Sequence, residues 1–308
     1  GKYTKIGLLG KGGMAKVLRV QDPELKRTLA MKIIHEEMQR DPQIVSRFAE
    51  EAQLVAQLQH PNIVPVHELG RLPDGRLYFT MQEIRGHDFH SAIQNVHKSI
   101  ENNQWKTTEN GWSFRKLIAS FLQVCTTVAF AHSKGVIHRD LKPKNIMLGE
   151  YGEILIVDWG IAKLNKNLMD PKSQEVHTDR QTKGLYKTQF GSIAGTPAYM
   201  APEQAMGHID EISHKTDIYA LGIILYEILN GVTPFKGTTD QVLLQVITPN
   251  YISKIIENQP TQEIDTLGFS TINKPKSPKD LIDACKKAIA YDPDSRFSNA
   301  MELAKVIE

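Results

Sequence analysis

The stretch VIHRDLKPKNIML places acid, cation and amide side chains between two apolar runs. Its polar members include His138, Arg139, Asp140, Lys142 and Asn145. A polar loop is ordinary on a protein surface, but this order of side chains is uncommon in a loop without a function. The stretch is therefore a candidate for catalytic chemistry.

A further acid, Asp158, follows the apolar run ILIV ten residues after Leu148. Short apolar runs at 146–148 and 154–157 predict two strands, so that Asn145 and Asp158 would lie at adjacent strand ends. Mg²⁺ prefers oxygen ligands and keeps water or phosphate in its remaining positions. The two oxygen-bearing side chains therefore predict a magnesium site.

The stretch LGKGGMAKV places Gly10 and Gly12 between two predicted strands. Because glycine has no side chain, backbone amides at such a turn can approach a phosphate closely. No helix follows, which argues against a dinucleotide-binding loop, and the GxxxxGK[ST] spacing is absent. From the residues alone, a glycine-rich hairpin turn and a phosphate-binding loop both stay open.

Lys32 interrupts the apolar strand TLAMKII. A lysine there can simply be an edge residue that faces solvent. Glu51 favours another interpretation, because it lies between Phe48 and Val55 on the apolar face of a predicted helix, where an unpaired carboxylate is costly. We expect Lys32 to pair with Glu51 and to reach nucleotide phosphates.

Apolar patterns in the first third predict strands around one helix. The predicted strands cover 5–10, 15–20, 27–34, 63–69 and 76–82. The helix is expected to begin after the N-cap Asp41, with Pro42 at its first position, and to stop before Pro61.

Helices are predicted to dominate the rest of the chain. Ser113 would cap a long apolar stripe that ends at Gly135, and residues 217–230 are apolar nearly all round, which predicts a buried central helix. Two polar interruptions, 95–111 and 165–189, are poor in apolar residues, and we expect them to be mobile.

Length and composition predict a globular chain. With 308 residues, 41% of them hydrophobic, it can bury a substantial core as one large domain or two lobes. The 37 basic and 35 acidic side chains are interspersed and leave a net charge of +2, which argues against nucleic acid as a partner. Cys125 and Cys285 lack disulfide or zinc spacing, which favours a reducing, cytoplasmic setting.

No continuous run of about 18 apolar residues is present for a membrane span, and the nearest runs from Ile218 to Leu229. We therefore expect no membrane contact from this segment. Because the chain begins at Gly1 without a methionine, we also expect it to be a piece of a longer protein, which could carry a membrane anchor elsewhere.

Five landmarks resemble the signature of protein kinases in order and spacing, and the resemblance covers essentially the whole chain. They are the glycine loop, Lys32 in Ala30-Met31-Lys32, His138-Arg139-Asp140 through Asn145, Asp158-Trp159-Gly160, and Ala201-Pro202-Glu203. The resemblance implies an α+β, bilobal, protein-kinase-like fold. A β-rich N-terminal lobe with one helix would cover 1–84, and a larger, mainly helical lobe would cover 85–308.

By this resemblance, the first lobe would bind ATP. Backbone amides from Gly10 to Ala15 would cover the phosphates, and Lys32, held by Glu51, would contact the α and β phosphates. The adenine would lie at the hinge, with Met81 as gatekeeper and Leu148 beneath the ring. The residues implied in ATP binding are Leu9, Gly10, Lys11, Gly12, Gly13, Ala15, Val17, Ala30, Lys32, Met81, Gln82, Ile84 and Leu148.

By the same resemblance, the second lobe would carry the transfer chemistry. Asp140 would orient the substrate hydroxyl and accept its proton, and Lys142 would offset charge on the transferred γ-phosphoryl group. Asn145 and Asp158 would hold Mg²⁺, with Mn²⁺ as an alternative metal. Thr196 would bridge Asp140 and Lys142.

Other matching residues are expected to be structural. Asp217 would bind the backbone of the catalytic loop, and Glu203 would pair with Arg296 in DPDSRF. We expect His138 to be a packed core residue rather than a base, although the usual pKa of histidine suits acid–base work. Arg139 would belong to a basic pocket that phosphate on the activation segment neutralises.

Two sequence features resemble serine/threonine protein kinases, namely Lys142 two residues after the loop aspartate and the stretch GTPAYMAPE. The stretches GKGGMAKV and APEQA resemble the bacterial eukaryotic-like (Hanks-type) members. Segment 158–203 would be the activation segment, with Thr188 and Ser192 as candidate phosphorylation sites. The implied substrates are proteins with Ser or Thr hydroxyls, and autophosphorylation in trans would need a transient homodimer.

Two positions depart from the family pattern. Ala15 stands where the third glycine is usual, and its methyl group should reduce loop flexibility only modestly. Trp159 stands where phenylalanine is usual. Since the family packs that residue beneath the helix that carries Glu51, a larger ring should change the packing and leave the metal ligand intact.

Two alternatives use the same fold. A pseudokinase, a binding or scaffold module without efficient transfer, predicts the loss of Lys32, Asp140 or Asp158, and all three are present. A small-molecule kinase predicts the loss of the segment that contains Thr196 and of the APE triplet, and both are intact. The residues therefore favour a protein kinase.

Overall fold

The computed structural model describes residues 2–160, 162–164, 196–249, 251–252, 255 and 275–308. The N-terminal part is a five-stranded antiparallel sheet. Its strands are β1 (Thr4–Lys11), β2 (Ala15–Asp22), β3 (Arg27–Ile34), β4 (Val66–Arg71) and β5 (Leu77–Gln82). Their order across the sheet is β1-β2-β3-β5-β4, so the central strand β3 carries Lys32.

One helix, α1 (Pro42–Gln57), packs on this sheet. Asp41 accepts hydrogen bonds from two backbone N–H groups of the first turn, so the helix begins at the predicted cap. The rings of Phe48 on α1 and Phe79 on β5 lie 5.2 Å apart. Because side chains alternate along β3, Lys32 lies on the side of the sheet that faces α1.

Helices make up most of the C-terminal part. They are α2 (Phe89–Lys98), α3 (Phe114–Ser133), α4 (Pro202–Ala205), α5 (His214–Asn230), α6 (Thr239–Ile247), α7 (Lys279–Ala288) and α8 (Ala300–Ile307). Helix α5 is buried from Thr216 to Leu229, and α3 and α7 pack against it. The predicted buried central helix is thus confirmed, and a sheet-rich N-terminal part is followed by a larger, helical C-terminal part, as the predicted two-lobed architecture requires.

Among the described helices, α3 is the one whose length and apolar composition would suit a membrane span. Its apolar stripe, however, packs into the protein core, where Leu117, Phe121, Val124, Cys125 and Val128 are fully buried. A buried core helix satisfies the same criteria of length and composition. Continuous apolar runs in the sequence had pointed to 218–229 as the nearest candidate for a membrane span. By length and composition α3 is nearer to one.

Short strands form two further small sheets in the described part of the chain. In one small sheet β8 (Ile146–Gly149) lies between β6 (Gly86–Asp88) and β9 (Ile154–Ile156), and in another β7 (Val136–Ile137) pairs with β10 (Lys163–Leu164). Because β8 and β9 are antiparallel, the start of one meets the end of the other. Asn145 and Asp158 therefore lie at the same edge of the sheet.

The polar segment 95–111 has defined contacts, which corrects the expectation that it is mobile. Its first four residues belong to α2. Trp105 stacks on Phe114 with ring centroids 4.5 Å apart, and Trp112, which follows the segment, is buried in the core. Two large rings anchor a segment whose average composition is polar. The other predicted mobile segment, 165–189, lies outside the described residues.

Candidate active site

Lys32, Glu51 and Asp158 form a charged cluster in the cleft between the lobes. Lys32 Nζ lies 2.6 Å from Glu51 Oε1 and 3.1 Å from Asp158 Oδ1. Burial alone would lower the pKa of Lys32, but the two carboxylates outweigh it and raise that pKa above its ordinary value. Lys32 is therefore a cation held in place beside the cleft.

Asp158 is the exposed carboxylate of this cluster, with 51% of its side chain accessible. Burial of the carboxyl would raise its pKa, but the Lys32 ammonium group and nearby positive charge bring it below the usual range. The backbone φ of Asp158 is 64°, a left-handed conformation that costs a non-glycine residue free energy and is often found at functional sites. The absence of a side chain at Gly160 lets the backbone approach Glu51 closely, because a Cβ there would lie only 3.0 Å from Glu51 Oε2.

Asp140, Lys142 and Thr196 are in direct contact. Lys142 Nζ donates to Asp140 Oδ2 at 2.7 Å and to Thr196 Oγ1 at 2.6 Å. The backbone N–H of Thr196 donates to Asp140 Oδ1 at 3.0 Å, so Thr196 bridges the pair with its hydroxyl on one side and its backbone on the other. Asn145 Nδ2 donates to the carbonyl oxygen of Asp140 at 2.9 Å. These contacts orient the Asp140 carboxylate at the cleft.

The buried carboxylate of Asp217, in the first turn of α5, holds this loop from below. It accepts hydrogen bonds from the backbone N–H groups of His138 at 2.8 Å and Arg139 at 2.9 Å, and from His132 Nε2 at 2.8 Å. Burial would raise the pKa of Asp217, but the His132 hydrogen bond and nearby charge lower it below the ordinary value. Asp217 thereby stabilises the left-handed backbone of Arg139, whose φ is 70°.

His138 is a packed, neutral residue of the core. Its Nδ1 accepts from the N–H of Asp140 at 3.2 Å, so that Nε2 donates to the carbonyl oxygen of Val157 at 3.2 Å. Its ring lies 4.5 Å from that of Trp159. Burial lowers the pKa of His138. Both ring nitrogens are thus engaged, which leaves no lone pair for a substrate proton.

Glu203 and Arg296 form a bidentate ion pair inside the helical lobe. Arg296 Nη1 lies 2.8 Å from Glu203 Oε1, and Nη2 lies 2.9 Å from Oε2. The guanidinium group also donates to the carbonyl oxygens of Ala290, Tyr291 and Lys215. With side chains 2% and 0% exposed, the pair is structural and lies outside the cleft lining.

A cavity of about 810 Å³ opens beside Lys32, a size typical of ligand sites. The glycine loop forms one wall, and a Cβ at Gly10 or Gly13 would meet no atom within 4 Å, which leaves room for a ligand near the backbone. The cavity brings together many predicted residues: Gly10, Lys11, Gly12, Gly13, Ala15, Val17, Lys32, Glu51, Met81, Asp140, Asn145 and Asp158.

Residues 3–306 match the protein kinase domain family. The chain belongs to that family. This match spans nearly the whole chain and confirms the predicted family.

Curated relatives of this kinase are bacterial. It is 38% identical over 317 aligned residues to the serine/threonine-protein kinase PknD of Chlamydia muridarum and 36% identical over 307 to that of Protochlamydia amoebophila. The PknD of Chlamydia pneumoniae is 33% identical over 314 residues. These alignments cover 99–100% of the chain but only 29–31% of each relative, so the chain spans about a third of their length.

Some predicted ATP-binding residues do not line the kinase cavity: Leu9, Ala30, Gln82, Ile84 and Leu148. Leu148 requires a correction, because its side chain is 1% exposed and packs in the core. Side chains alternate along β8, so Met147 faces the other way and is half-buried. Met147, one residue earlier, points away from the core, although it does not line the cavity either.

The hinge carries a backbone donor that is free to bind a ligand. In the described part of the chain the N–H of Ile84 has no hydrogen-bond partner, whereas the N–H of Gln82 donates to the carbonyl oxygen of Pro65 at 3.2 Å. Between them Glu83 forms an ion pair with Arg19 of β2. This link joins the hinge to the strand that follows the glycine loop.

The pair of predicted metal ligands fits a cation that prefers oxygen. Asn145 uses its amide nitrogen on Asp140, which leaves Oδ1 for a metal, and Asp158 contacts Lys32 through one oxygen only. No cluster of three or more His, Cys, Asp or Glu that could hold a metal occurs in the described ranges. A metal here would rely on phosphate and water for its other ligands, as Mg²⁺ commonly does.

His35 is a site residue that the sequence patterns did not reveal. It follows β3 and is buried, and its Nε2 donates to the carbonyl oxygen of Gly12 in the glycine loop. A contact between a side chain and a backbone group leaves no trace in residue spacing. The predicted phosphorylation sites Thr188 and Ser192 lie outside the described residues.

Trp159 is a buried residue of the core. It is 1% exposed and belongs to the same apolar cluster as Leu54 and Val55 of α1. Its indole nitrogen donates to the carbonyl oxygen of Ile156 at 3.4 Å, a long hydrogen bond. The tryptophan therefore packs in the core while its neighbour Asp158 faces the cleft.

Proposed function

We propose that this kinase transfers the γ-phosphoryl group of ATP to Ser or Thr hydroxyl groups of proteins. The observation that carries the proposal is that Asp140, which Lys142 and Thr196 hold in place, lines the same cleft as the Lys32–Glu51–Asp158 cluster. The Asp140 carboxylate can bind a hydroxyl group, and the Lys32 ammonium group can bind an anion. The names of the bacterial relatives support Ser and Thr as acceptors.

The nucleotide would lie between the glycine loop and the catalytic loop. Backbone N–H groups of the glycine loop and the Lys32 ammonium group would bind its phosphates. The free N–H of Ile84 would donate to the adenine ring, and Met147 would pack beneath it. Asn145 and Asp158 would hold Mg²⁺ or Mn²⁺, which supplies positive charge to the phosphates when bound.

The acceptor hydroxyl would bind at Asp140. The carboxylate, oriented by Thr196 and Asn145, would accept the hydroxyl proton as the oxygen attacks the γ-phosphorus. Lys142 would then lie beside the transferred group, where its charge stabilises the phosphoryl oxygens. The contribution of the protein is therefore position and electrostatics.

We further propose autophosphorylation at Thr188 or Ser192, in trans between two transiently associated chains. Phosphate there would bind the basic pocket that includes Arg139. The N-terminal lobe would end at residue 84, and the domain would act in the cytoplasm on protein substrates. A longer parent protein with a membrane anchor is compatible with this arrangement.

Incubation of the chain with Mg-ATP and a Ser/Thr/Tyr peptide mixture, followed by mass spectrometry, tests the proposal. Wild type should label Ser and Thr, and Asp140→Asn should lose transfer by roughly 100-fold or more while it still binds Mg-ATP. Asp158→Ala should lose Mg-ATP affinity. Lys286→Ala, on the exposed face of α7, is the matched control and should behave as wild type.

The same experiment separates the pseudokinase alternative. A wild-type chain that labels neither itself nor any peptide, with Asp158→Ala binding Mg-ATP as tightly as wild type, would favour a scaffold role. Labelling of Tyr alone would contradict the Ser/Thr assignment.

A further inference from the structure

Lys144 is an exposed residue of the catalytic loop that the proposed chemistry does not use. It lies in the helical turn Pro143–Asn145, packed against α2, and it lines the cleft beside Asp140. The backbone at this turn is therefore fixed while the lysine side chain is accessible. A lysine in that place presents a positive charge next to the position of the acceptor hydroxyl.

The ammonium group of Lys144 differs from those of Lys142 and Lys32, which contact the carboxylates of the cleft. Lys142 is engaged by Asp140 and Thr196, and Lys32 is engaged by two carboxylates. Within the described ranges, Lys144 has no ion-pair or hydrogen-bond partner for its side chain. Its charge is thus available to a ligand.

Each carboxylate that lines the cleft contacts a lysine, although two of them share one ammonium group. Glu51 and Asp158 face Lys32, and Asp140 faces Lys142. On the catalytic-loop wall Asp140 is balanced by Lys142, so Lys144 adds a positive charge there that has no carboxylate partner among the described residues. A free acid that could attract a basic substrate is missing from the described lining.

Glu227 of α5, the nearby acid beneath the turn that follows Thr196, is also unavailable. It is 1% exposed, and Tyr199 Oη donates to its Oε2 at 2.6 Å. His90 Nδ1 donates to Glu227 Oε1 at 2.7 Å. The His90 side chain is 37% exposed, so the imidazole rather than the Glu227 carboxylate faces solvent. A basic substrate side chain would have to displace one of these partners to reach the carboxylate.

We propose that Lys144 is a specificity-determining residue that binds an anionic side chain of the protein substrate, a carboxylate or a phosphorylated residue, close to the acceptor Ser or Thr. The proposal rests on the proposed kinase function. Phosphates of ATP would already face the glycine loop and Lys32, so the substrate polypeptide is the ligand left for Lys144. A surface lysine–carboxylate pair acts mainly through charge, so the preference should weaken with salt.

The test uses the 308-residue chain and one Ser peptide, made with Glu, phosphoserine, Gln or Lys at each of the three positions on either side of the acceptor. At one or more positions wild type should show a roughly three- to fivefold lower KM for the Glu peptide than for the Gln peptide, with similar kcat. The phosphoserine arm shows whether primed substrates are bound more tightly than acidic ones.

Substitution of the lysine gives the decisive comparison. Lys144→Gln should abolish the preference, and Lys144→Glu should reverse it toward the Lys peptide, while the ATP KM stays at the wild-type value. Lys286→Glu makes the same charge change on α7 and should keep the wild-type preference. Equal melting temperatures of the variants would exclude a folding defect.

Three results would overturn the inference. One is equal KM for Glu, phosphoserine, Gln and Lys peptides with wild type, and another is an acidic preference that survives Lys144→Glu. The third is a change in ATP KM alone, which would place Lys144 at the nucleotide. If no peptide is phosphorylated and the chain does not label itself, the proposed kinase function fails first and this inference falls with it.

Discussion

His35 and Gly12 are joined by a hydrogen bond of 2.9 Å from the imidazole Nε2 to the glycine carbonyl oxygen. The backbone N–H of His35 donates to the carbonyl oxygen of Met14 at 3.0 Å, and Gly12 N–H donates to the carbonyl oxygen of Ala15 at 2.8 Å. The tip of the glycine loop is therefore held to the end of β3. A loop ordered before binding loses less conformational entropy when phosphate arrives.

We predict that His35→Leu raises the KM for ATP about fivefold with little change in kcat, because one hydrogen bond worth about 1 kcal/mol no longer orders the loop. Steady-state kinetics at varied ATP concentration measures this effect. His35→Gln, which keeps a donor, should recover part of the affinity. An unchanged ATP KM in His35→Leu would show that the loop is ordered without this contact.

The Glu203–Arg296 pair should be a large contributor to the stability of the helical lobe. Arg296→Met leaves a buried carboxylate without its partner and should lower the free energy of unfolding by about 3–5 kcal/mol. Urea denaturation measures the loss. Replacing both residues by apolar ones should cost less than the two single losses added together.

A matched control for that prediction is the exposed pair Lys287–Glu302, with 3.1 Å between Nζ and Oε1. Lys287→Met should cost less than about 1 kcal/mol, because solvent screens the pair. Equal losses at the two sites would contradict the assigned importance of burial.

The buried ring of His138 should make stability depend on pH. Its pKa in the folded protein lies below the unfolded value of about 6.5, so its favourable contribution is complete above that pH and is lost as the pH falls toward the folded pKa. The slope from one such group can approach about 1.4 kcal/mol per pH unit.

Denaturation of wild type and His138→Gln at pH 7.5 and 5.5 checks this prediction. His60, His67 and His214 also have lowered pKa values, so the difference between the two proteins isolates His138. Wild type should lose more stability than the variant on acidification. Parallel pH dependence in both would contradict the assignment.

Replacement of Trp159 by phenylalanine should destabilise the protein by about 1–2 kcal/mol, since the smaller ring leaves a space in the core. Phosphoryl transfer should change little, because Asp158 keeps its contact with Lys32. Thermal denaturation and peptide kinetics measure the two effects. Trp112→Phe, at another buried indole, is the control, and a loss of transfer specific to Trp159→Phe would place the indole in the chemistry.

Much of the fold and of the site follows from local sequence signals. The cap Asp41 with Pro42 placed the start of α1, and Ser113 placed that of α3, because capping geometry depends on neighbouring residues alone. The Lys32–Glu51 ion pair could be predicted because each of these charged residues interrupts an apolar pattern in the sequence. Charges that interrupt an apolar face are informative, since burial without a partner is costly.

Other features depend on tertiary contacts that leave little local pattern. Helix α2 begins after the cap Asp88, but its polar surface hid its apolar stripe. On the short strand β8 an error of one residue reversed the facing of Leu148 and Met147. Trp105 anchors a segment that looks polar by composition. Each case turns on one side chain rather than on an average.

One part of the catalytic loop is fixed by buried hydrogen bonds, and another part is exposed to solvent. This asymmetry has an evolutionary consequence. Asp217 holds the loop backbone from the most buried helix, so substitutions there disturb folding and chemistry together. Lys144 is exposed on the rim of the cleft, where we expect a change of charge to disturb neither folding nor chemistry. Duplicated copies of such a domain could diverge in the proteins that they modify through a few surface substitutions, while the phosphoryl-transfer chemistry is inherited intact.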